Sequence, residues 1–379
     1  MSAVAEALVQ GPAEDTWLMG AALALGRRGL GQVWPNPAVG AIIVQPGPAG
    51  PVVVGRGWTQ PGGRPHAEAE ALERAGNLAS GATMYVTLEP CSHHGKSPPC
   101  ADAIVAAGIA TVVSALEDPN PEVAGKGHAR LRAAGISVRT GIGAPEAARV
   151  HDGHIRRMRE RRPTVTLKLA ISADGKVGLA GRRPVAITAE RARDRVHRLR
   201  SMHDAVLIGI GTALADNPLL TCRLPGMERR SPVRIVADSE LRLPLEARLV
   251  ATTAQCPLWV VASETASRDR EAALRARGVE VLRVAGTGRK LDLRAAMRVL
   301  ADKGITRVLL EGGPILATAT LASGLVDELA LFQSEIAVGP DGIDALEGLP
   351  LSALTHSPRF KRAETEMLGP DRLDTFVRV

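Results

Sequence analysis

The sequence contains few aromatic residues: Phe, Trp and Tyr together make up 2% of its 379 residues. Proteins that bind single-stranded nucleic acids stack the bases on aromatic side chains, so this scarcity argues against that function. Four cysteines are too few for the disulfide framework of a small secreted domain. The chain has no run of about 18 apolar residues that could span a membrane, and its acidic N-terminal segment lacks the features of a signal peptide. We therefore expect a cytoplasmic protein that binds no membrane.

The composition is that of a globular protein with more than one hydrophobic core. Hydrophobic residues make up 45% of the chain and charged residues 23%. The length predicts about two to three domains. Basic residues exceed acidic ones by seven, 47 against 40. This excess is compatible with binding of either nucleic acid or small anionic substrates. The scarcity of aromatic residues favours the second alternative.

Strand-like and helix-like segments alternate along both halves of the chain, which predicts an α/β fold with sheets covered by helices. The composition becomes polar between residues 144 and 163, where five arginines fall within residues 156–162. A solvated linker helix is the favoured interpretation of this segment, and a basic patch for nucleic acid is the alternative. We predict a domain over residues 1–147, a linker over 148–163 and a second α/β domain over 164–379.

The first half contains a pattern typical of a catalytic zinc site. His66 is followed by Cys91 and Cys100, which together provide three zinc ligands and leave the fourth tetrahedral position for water. Glu68, two residues after His66, can take the proton of that water and deliver it to a leaving amine. The same order of residues occurs in zinc deaminases of nucleobases, although here eight residues separate the two cysteines.

Two further features of the first half have alternative interpretations. His93 and His94 could join the cysteines in a closed structural zinc site, which would leave Glu68 without a role. Asn36, held between Pro35 and Pro37, could hydrogen-bond the edge of a pyrimidine or could belong to a plain turn.

Several longer motifs resemble the bifunctional riboflavin-biosynthesis deaminase/reductase family. They are PNPAVGAIIV, HAEAEAL, TLEPCSHHGKSPPC and DPNPEVAGKG in the first half, and LKLAISADGKVG, GIGTALADNPLLTCR, VRIVADS and LLEGGPILATATL in the second. The resemblance implies a cytidine-deaminase-like domain followed by a dihydrofolate-reductase-like domain. It also implies zinc and NADPH as cofactors, a phosphorylated pyrimidine as substrate, and a homo-oligomer.

The resemblance also implies roles for individual residues. His66, Cys91 and Cys100 match the zinc ligands, Glu68 the proton shuttle, and Lys168 and Asp216 the polar residues nearest the hydride transfer. The residues that match NADPH contacts are Ala170, Thr212, Asp216, Ser239, Gly312, Gly313 and Pro314. Those that match substrate contacts are Asn36, Arg200, Leu220, Arg223 and Glu311.

Local chemistry supports part of the second site independently. The residues after the apolar strand at 308–310 are Glu311, Gly312, Gly313 and Pro314, and a helix is predicted to follow them. Glycines allow close approach of the backbone, and the start of a helix offers N–H groups to a phosphate. Arginine side chains can hold a phosphate through two hydrogen bonds, although most arginines in so arginine-rich a chain are solvated.

The second half departs from the family pattern at one point in particular. Where the family commonly has Ser-x-Trp-Ile-Thr, this chain has Pro184, Val185, Ala186, Ile187 and Thr188. An alternative hypothesis is therefore a deaminase whose reductase domain has lost activity. The segment from His151 to His154 departs as well, from an Asn-x-Gly-Phe pattern. Cys222 and Cys256 are best interpreted as buried, unreactive thiols.

Overall fold

The computed structural model describes residues 13–93, 98–179, 186–287 and 290–379. The chain forms two compact units, Met1–Glu160 and Arg161–Val379. Among the described residues, no helix combines the length and the apolar character needed to cross a bilayer.

The first unit is built around a mixed sheet with strand order β2-β1-β3-β4-β5. Strand β1 is antiparallel to both of its neighbours, whereas β3, β4 and β5 are parallel. In chain order, the elements are α1 (Ala13–Gly26), β1 (Gly40–Gln45), β2 (Val52–Trp58), α2 (Ala67–Ala75), β3 (Thr83–Val86), α3 (Cys100–Ala106), β4 (Thr111–Ser114), α4 (Lys126–Ala133), β5 (Ser137–Thr140), α5 (Ala144–Val150) and α6 (Asp152–Glu160).

Strand β1 is buried on both faces because its side chains alternate between two hydrophobic cores. Ala41 and Ile43 pack in the core that contains the apolar residues of α2 and α3. Ile42 and Val44 pack in the other core, with residues of α1 and α5. Helix α2 lies very close to β2, since a Cβ on Gly57 would fall 2.3 Å from the carbonyl oxygen of Ala67. This packing determines the position of the residues at the start of α2.

The second unit contains a larger sheet with strand order β11-β10-β9-β8-β14-β6-β15-β18-β17. Its elements begin with β6 (Thr164–Ile171), β7 (Lys176–Gly178), α7 (Glu190–Ser201), β8 (Ala205–Gly209), α8 (Ile210–Asp216), β9 (Val233–Ala237), α9 (Arg248–Ala251), β10 (Leu258–Ser263), α10 (Arg268–Arg275) and β11 (Glu280–Val284). The remaining elements are β12 (Gly286–Thr287), β13 (Lys290–Leu291), α11 (Leu293–Asp302), β14 (Arg307–Leu310), α12 (Pro314–Ala322), β15 (Glu328–Gln333), β16 (Ile343–Asp344), α13 (Ser352–Thr355), β17 (Phe360–Leu368) and β18 (Asp371–Arg378).

Strand β14 lies between β8 and β6, and all three strands are parallel. Their carboxyl ends therefore open at the same edge of the sheet. The sheet continues in parallel through β9, β10 and β11 on one side and β15 on the other, and the antiparallel strands β18 and β17 follow β15. In open α/β sheets, ligands bind in the crevice outside the carboxyl ends of the strands.

The segment predicted as a linker, 148–163, contains α6, and the division between the compact units falls after Glu160. His151 and His154 are buried in the first unit, where they hydrogen-bond Thr87 and Asp118 respectively. The polar composition of this segment did not predict its burial, because the buried side chains are histidines rather than aliphatic residues. The division into domains 1–147 and 164–379 that function independently stays a prediction.

Candidate active sites

The three predicted zinc ligands lie together at the starts of two helices and in one turn. His66 precedes α2, Cys100 begins α3, and Cys91 lies in the segment between β3 and α3. The Nδ1 atom of His66 is 3.3 Å from the Sγ of Cys100 and 3.7 Å from the Sγ of Cys91. Two ligands of a tetrahedral zinc ion, one nitrogen and one sulfur, would be separated by about 3.5 Å. The donor set and its spacing therefore fit zinc.

The surroundings of Cys91 favour its thiolate form. A hydrogen bond with the thiol of Cys100 lowers the pKa of Cys91 to about 4, and His66 adds to this effect. The backbone N–H of Cys100 also donates to the Sγ of Cys91, over 3.3 Å. Thiolates are the form of cysteine that binds metals.

Glu68 lies in the first turn of α2 and is 4% exposed. Burial raises the pKa of this carboxyl group above its usual range. A raised pKa makes the carboxylate a better proton acceptor, which is a property that a general acid–base residue needs. Glu68 therefore has the position and the environment that the sequence predicts for a proton shuttle.

Asn36 is fixed to the segment that leads to His66. Its Nδ2 donates a hydrogen bond of 2.7 Å to the carbonyl oxygen of Gly63. Gly63 has a φ of +83°, and a Cβ there would lie 2.2 Å from the amide nitrogen of Asn36. Among the described residues, His93 does not join the group of candidate metal ligands, and His94 lies outside the described residues. The closed structural zinc site consequently has no support here.

A cavity of about 380 Å³ opens at the carboxyl ends of β6 and β14 and beside α8 in the second unit. Most of the residues predicted for the reductase line it, namely Lys168, Ala170, Thr212, Asp216, Glu311, Gly312, Gly313 and Pro314. They come from segments far apart in the chain, which the parallel sheet brings to one edge.

The charged groups of the cavity shift one another's pKa values, although Lys168 and Glu311 are partly buried and Asp216 is exposed. Burial lowers the pKa of Lys168, and the carboxylates of Glu311 and Asp216 oppose this shift. Burial raises the pKa of Asp216, and Lys168 opposes that shift. The pKa values of the Lys168 amine and of Asp216 thus move towards each other, which makes proton transfer between the two groups less costly.

Arg200 and Glu311, both predicted to contact substrate, form a bidentate ion pair with each other. The Nε and Nη2 atoms of Arg200 donate to Glu311 over 2.6 and 2.9 Å, and Nη1 donates to the carbonyl oxygen of Thr221 over 3.1 Å. Burial alone would raise the pKa of Glu311, but Arg200 keeps this pKa below its usual value. Arg200 thus positions Glu311 in the cavity wall.

Four residues predicted for the reductase lie outside the lining of this cavity, namely Arg200, Leu220, Arg223 and Ser239. The side chain of Leu220 packs in the hydrophobic core, and its backbone has a φ of +57°. Arg223 is exposed, and partial burial together with nearby Arg200 and Arg248 lowers its pKa. Ser239 follows β9, two strands away from β14 in the sheet.

The start of α12 is the place where the sequence predicts binding of the NADPH phosphates. Gly313 precedes the helix and its N–H donates to the Oγ1 of Thr212 over 3.1 Å, and Pro314 occupies the first helical position. A Cβ on Gly312 would lie 3.0 Å from the side chain of Leu316, so a larger residue there would press on that side chain. The N-terminus of a helix favours an anion both by its dipole and by its N–H groups.

Several cavity residues were not predicted from the sequence. They are Val177, Ile187, Thr188, Arg193, Ile343 and Ala345. Val177, Ile187 and Thr188 lie in segments already compared with the family, but the sequence assigned them no role. Arg193 in α7, and Ile343 and Ala345 in and beside β16, belong to no quoted motif, so only their place in the fold identifies them. Ala186 also lines the cavity, whereas Pro184 lies outside the described residues.

Family models match both units. Residues 12–116 match the cytidine and deoxycytidylate deaminase zinc-binding region, and residues 163–373 match the RibD C-terminal domain. The second of these matches covers more than half of the chain.

Whole-chain comparisons agree with the family models. The chain is 40% identical over 371 residues to riboflavin biosynthesis protein RibD of Escherichia coli, covering 94% of this chain and 98% of that one. Acinetobacter baumannii RibD is similar in structure, with a TM-score of 0.85 at 34% identity, covering 97% of this chain and 99% of that one. A Thermotoga maritima diaminohydroxyphosphoribosylaminopyrimidine deaminase/5-amino-6-(5-phosphoribosylamino)uracil reductase has a TM-score of 0.82 at 34% identity, with 96% and 99% covered.

Proposed function

The chain belongs to the RibD family of riboflavin biosynthesis proteins, and we propose that the residues described above carry out the two reactions of that family. The protein is a bifunctional enzyme with a zinc-binding deaminase domain and an NADPH-dependent reductase domain. The predictions of family, fold class, enzyme class and cofactors are therefore confirmed. The roles of the individual residues are our proposal.

The first reaction removes the 2-amino group of 2,5-diamino-6-(5-phosphoribosylamino)pyrimidin-4-one by hydrolysis. His66, Cys91 and Cys100 would hold the zinc ion. Bound zinc would lower the pKa of a water molecule, so that this water could lose a proton and attack the ring. Glu68 accepts the proton of this water and returns it to the leaving amine as ammonia departs. Asn36, fixed by its hydrogen bond to Gly63, offers its amide oxygen to the pyrimidine.

The second reaction reduces the opened ribose of the deaminated product to a ribityl chain. NADPH would supply the hydride, and the start of α12 would bind its phosphates. Lys168 provides the proton that completes the new hydroxyl group, and Asp216 restores the proton to Lys168. Arg223, in the positive region that it forms with Arg200 and Arg248, binds the phosphate of the substrate.

The observation that carries this proposal is the convergence of His66, Cys91 and Cys100 beside buried Glu68, together with the separate cavity around Lys168 and Asp216. A coupled assay tests it. Without NADPH, the purified protein should release one ammonia for each substrate molecule, and addition of NADPH should then cause loss of the NADPH absorbance. Absence of ammonia release from zinc-loaded protein would contradict the deaminase assignment.

The alternative of an inactive reductase domain makes a different prediction for the same assay. Ammonia would be released, but NADPH would not be consumed even when the deaminated intermediate is supplied. The described cavity retains Lys168, Asp216 and Glu311, and nothing in it supports this alternative. We further propose a homo-oligomer, as the family resemblance implies, and light scattering of the purified protein tests it.

A further inference from the structure

Glu89 is a buried carboxylate two residues before the zinc ligand Cys91. It is 3% exposed. Its Oε2 accepts hydrogen bonds from the backbone N–H groups of Asp118 over 3.2 Å and Gly125 over 2.9 Å, and its Oε1 accepts one from His128 over 3.0 Å. Backbone donors on another segment of the chain therefore satisfy both carboxylate oxygens.

All three donors belong to residues 118–128, which we call the clasp segment. It follows β4 and includes the first turn of α4, where a helix has N–H groups without partners and favours a negative charge. A second contact holds the same segment: the Oδ1 of Asp118 lies 3.1 Å from the Nε2 of His154. The clasp segment is thus attached to the connection between β3 and Cys91 and also to α6.

The clasp segment touches the backbone beside the metal ligand directly. A Cβ on Gly127 would lie 2.0 Å from the carbonyl oxygen of Pro90, the residue between Glu89 and Cys91. On the other side, the N–H of Ala101 in α3 donates to the carbonyl oxygen of Cys91 over 3.1 Å. Cys91 therefore lies in a turn held between α3, which carries Cys100, and the clasp segment.

We propose that Glu89 is a positioning residue for deamination, because its carboxylate fixes the clasp segment against the turn that presents Cys91 to the metal. The inference rests on the proposed deaminase function. Glu89 does not act on the substrate or on protons of the reaction. Outer partners of metal ligands typically contribute about 10- to 100-fold to metal affinity or activity.

Glu89, Glu117 and His128 also lie close enough together to hold a metal ion. The three N–H groups already directed at Glu89 favour an anion that receives hydrogen bonds rather than a metal ligand. The experiment must therefore distinguish a positioning role of Glu89 from the binding of a second metal ion by these three residues.

Glu89→Gln in the full-length protein is the test, because glutamine keeps the shape but places an NH₂ group against backbone donors. We expect zinc affinity, measured by chelator competition, and deamination to fall about 10- to 100-fold. Reduction of the deaminated intermediate should be unchanged. The matched control is Asp15→Asn, which alters an equally buried carboxylate of the same unit (4% exposed) that accepts from Tyr85 and Arg139. That variant should lose stability but retain zinc affinity.

The two variants are compared at temperatures where each is fully folded. Wild-type zinc affinity in Glu89→Gln, or an equal loss in Asp15→Asn, would overturn the proposal. The proposal would also be overturned if the wild-type protein bound two zinc ions tightly and Glu89→Gln retained only one of them. If Glu89→Gln does not fold, Gly127→Ala tests the same contact from the clasp segment, and unaltered zinc affinity there also overturns it. Failure of the wild-type protein to deaminate would instead refute the proposed function.

Discussion

The zinc-ligand cluster of the first unit and the cavity of the second unit depend on different kinds of structural support. The zinc ligands Cys91 and Cys100 are separated by eight residues, and His66 comes from the start of α2 nearby. The cavity instead takes residues from β6, which ends at Ile171, from α8, which begins at Ile210, and from the turn after β14, which ends at Leu310. A motif read along the chain identifies the first site, whereas the order of strands in a parallel sheet creates the second.

The two sites also use buried charge differently. In the zinc cluster, hydrogen bonds lower the pKa of Cys91 so that an anion is available to a cation. In the cavity, opposite charges already present in the protein stabilise one another, as the Arg200–Glu311 pair does. Replacement of one ligand in the first site should therefore weaken metal binding. Replacement of one charged residue in the second site should leave its ion-pair partner without the opposite charge.

The largest expected effect is that of Cys91→Ser. Because a hydroxyl group replaces a thiolate poorly as a zinc ligand, we expect loss of bound zinc and of ammonia release together. Reduction of the deaminated intermediate should continue. Metal analysis and both assays check this, with Cys222→Ser, which alters a buried thiol of the second unit, as the control. Stoichiometric zinc in Cys91→Ser would contradict the ligand assignment.

Glu68→Gln should separate catalysis from metal binding within the first site. The amide cannot accept the proton of the attacking water, so deamination should fall by about 10²–10⁴-fold while zinc is retained. Glu70→Gln is the matched control, because Glu70 lies on the same helix and pairs with Arg74 outside the cluster. Near-normal turnover in Glu68→Gln would mean that another group moves the proton.

Asp216→Asn tests the second site. It removes the negative charge that faces Lys168, and we expect NADPH-dependent reduction to fall by about 10²-fold. Ammonia release should stay at the wild-type rate. Asp269→Asn, at an exposed position of α10, controls for the loss of a carboxylate. Equal loss of both activities in folded Asp216→Asn protein would show that the two sites are not independent.

The smallest effect concerns acid stability, for which we compare one deeply buried histidine from each unit. Burial lowers the pKa of His151 in the first unit and of His203 in the second from 6.5 to about 3. The unfolded chain then binds more protons, so stability is present above pH 6.5 and is lost as the pH falls towards 3. At pH 5 each histidine should account for about 2 kcal/mol of this loss.

Hydrogen exchange at pH 7 and pH 5 measures this contribution in each unit separately. His203→Asn should reduce the acid sensitivity of peptides from the second unit, and His151→Asn that of peptides from the first. His356→Asn, at an exposed position, should change neither. Unchanged acid sensitivity in both buried-site variants would contradict the pKa shifts.

Short-range patterns in the sequence were enough for several strands and helices with a clear apolar period, and they indicated the residues His66, Cys91 and Cys100 that the fold brings together. They did not predict β5, whose residues Ser137–Thr140 are mostly polar and exposed, because such a strand has no hydrophobic alternation. The C-terminal strands β17 and β18 were not predicted either, and β17 is exposed along most of its length. Pairing with a neighbouring strand, rather than local composition, makes these segments part of a sheet.

The sequence by itself determined the chemistry of this protein, because a metal ligand set and a general acid–base residue depend on residue types at short spacing. Tertiary structure alone decided which partners those residues have. It pairs Arg200 with Glu311, buries the side chain of Leu220, and brings Arg193 to the cavity that Lys168 lines. Each of these contacts joins positions more than 20 residues apart, or depends on a local backbone conformation such as the positive φ of Leu220. Periodicity in the sequence does not predict these contacts, because they depend on how the parallel strands are ordered in the sheet.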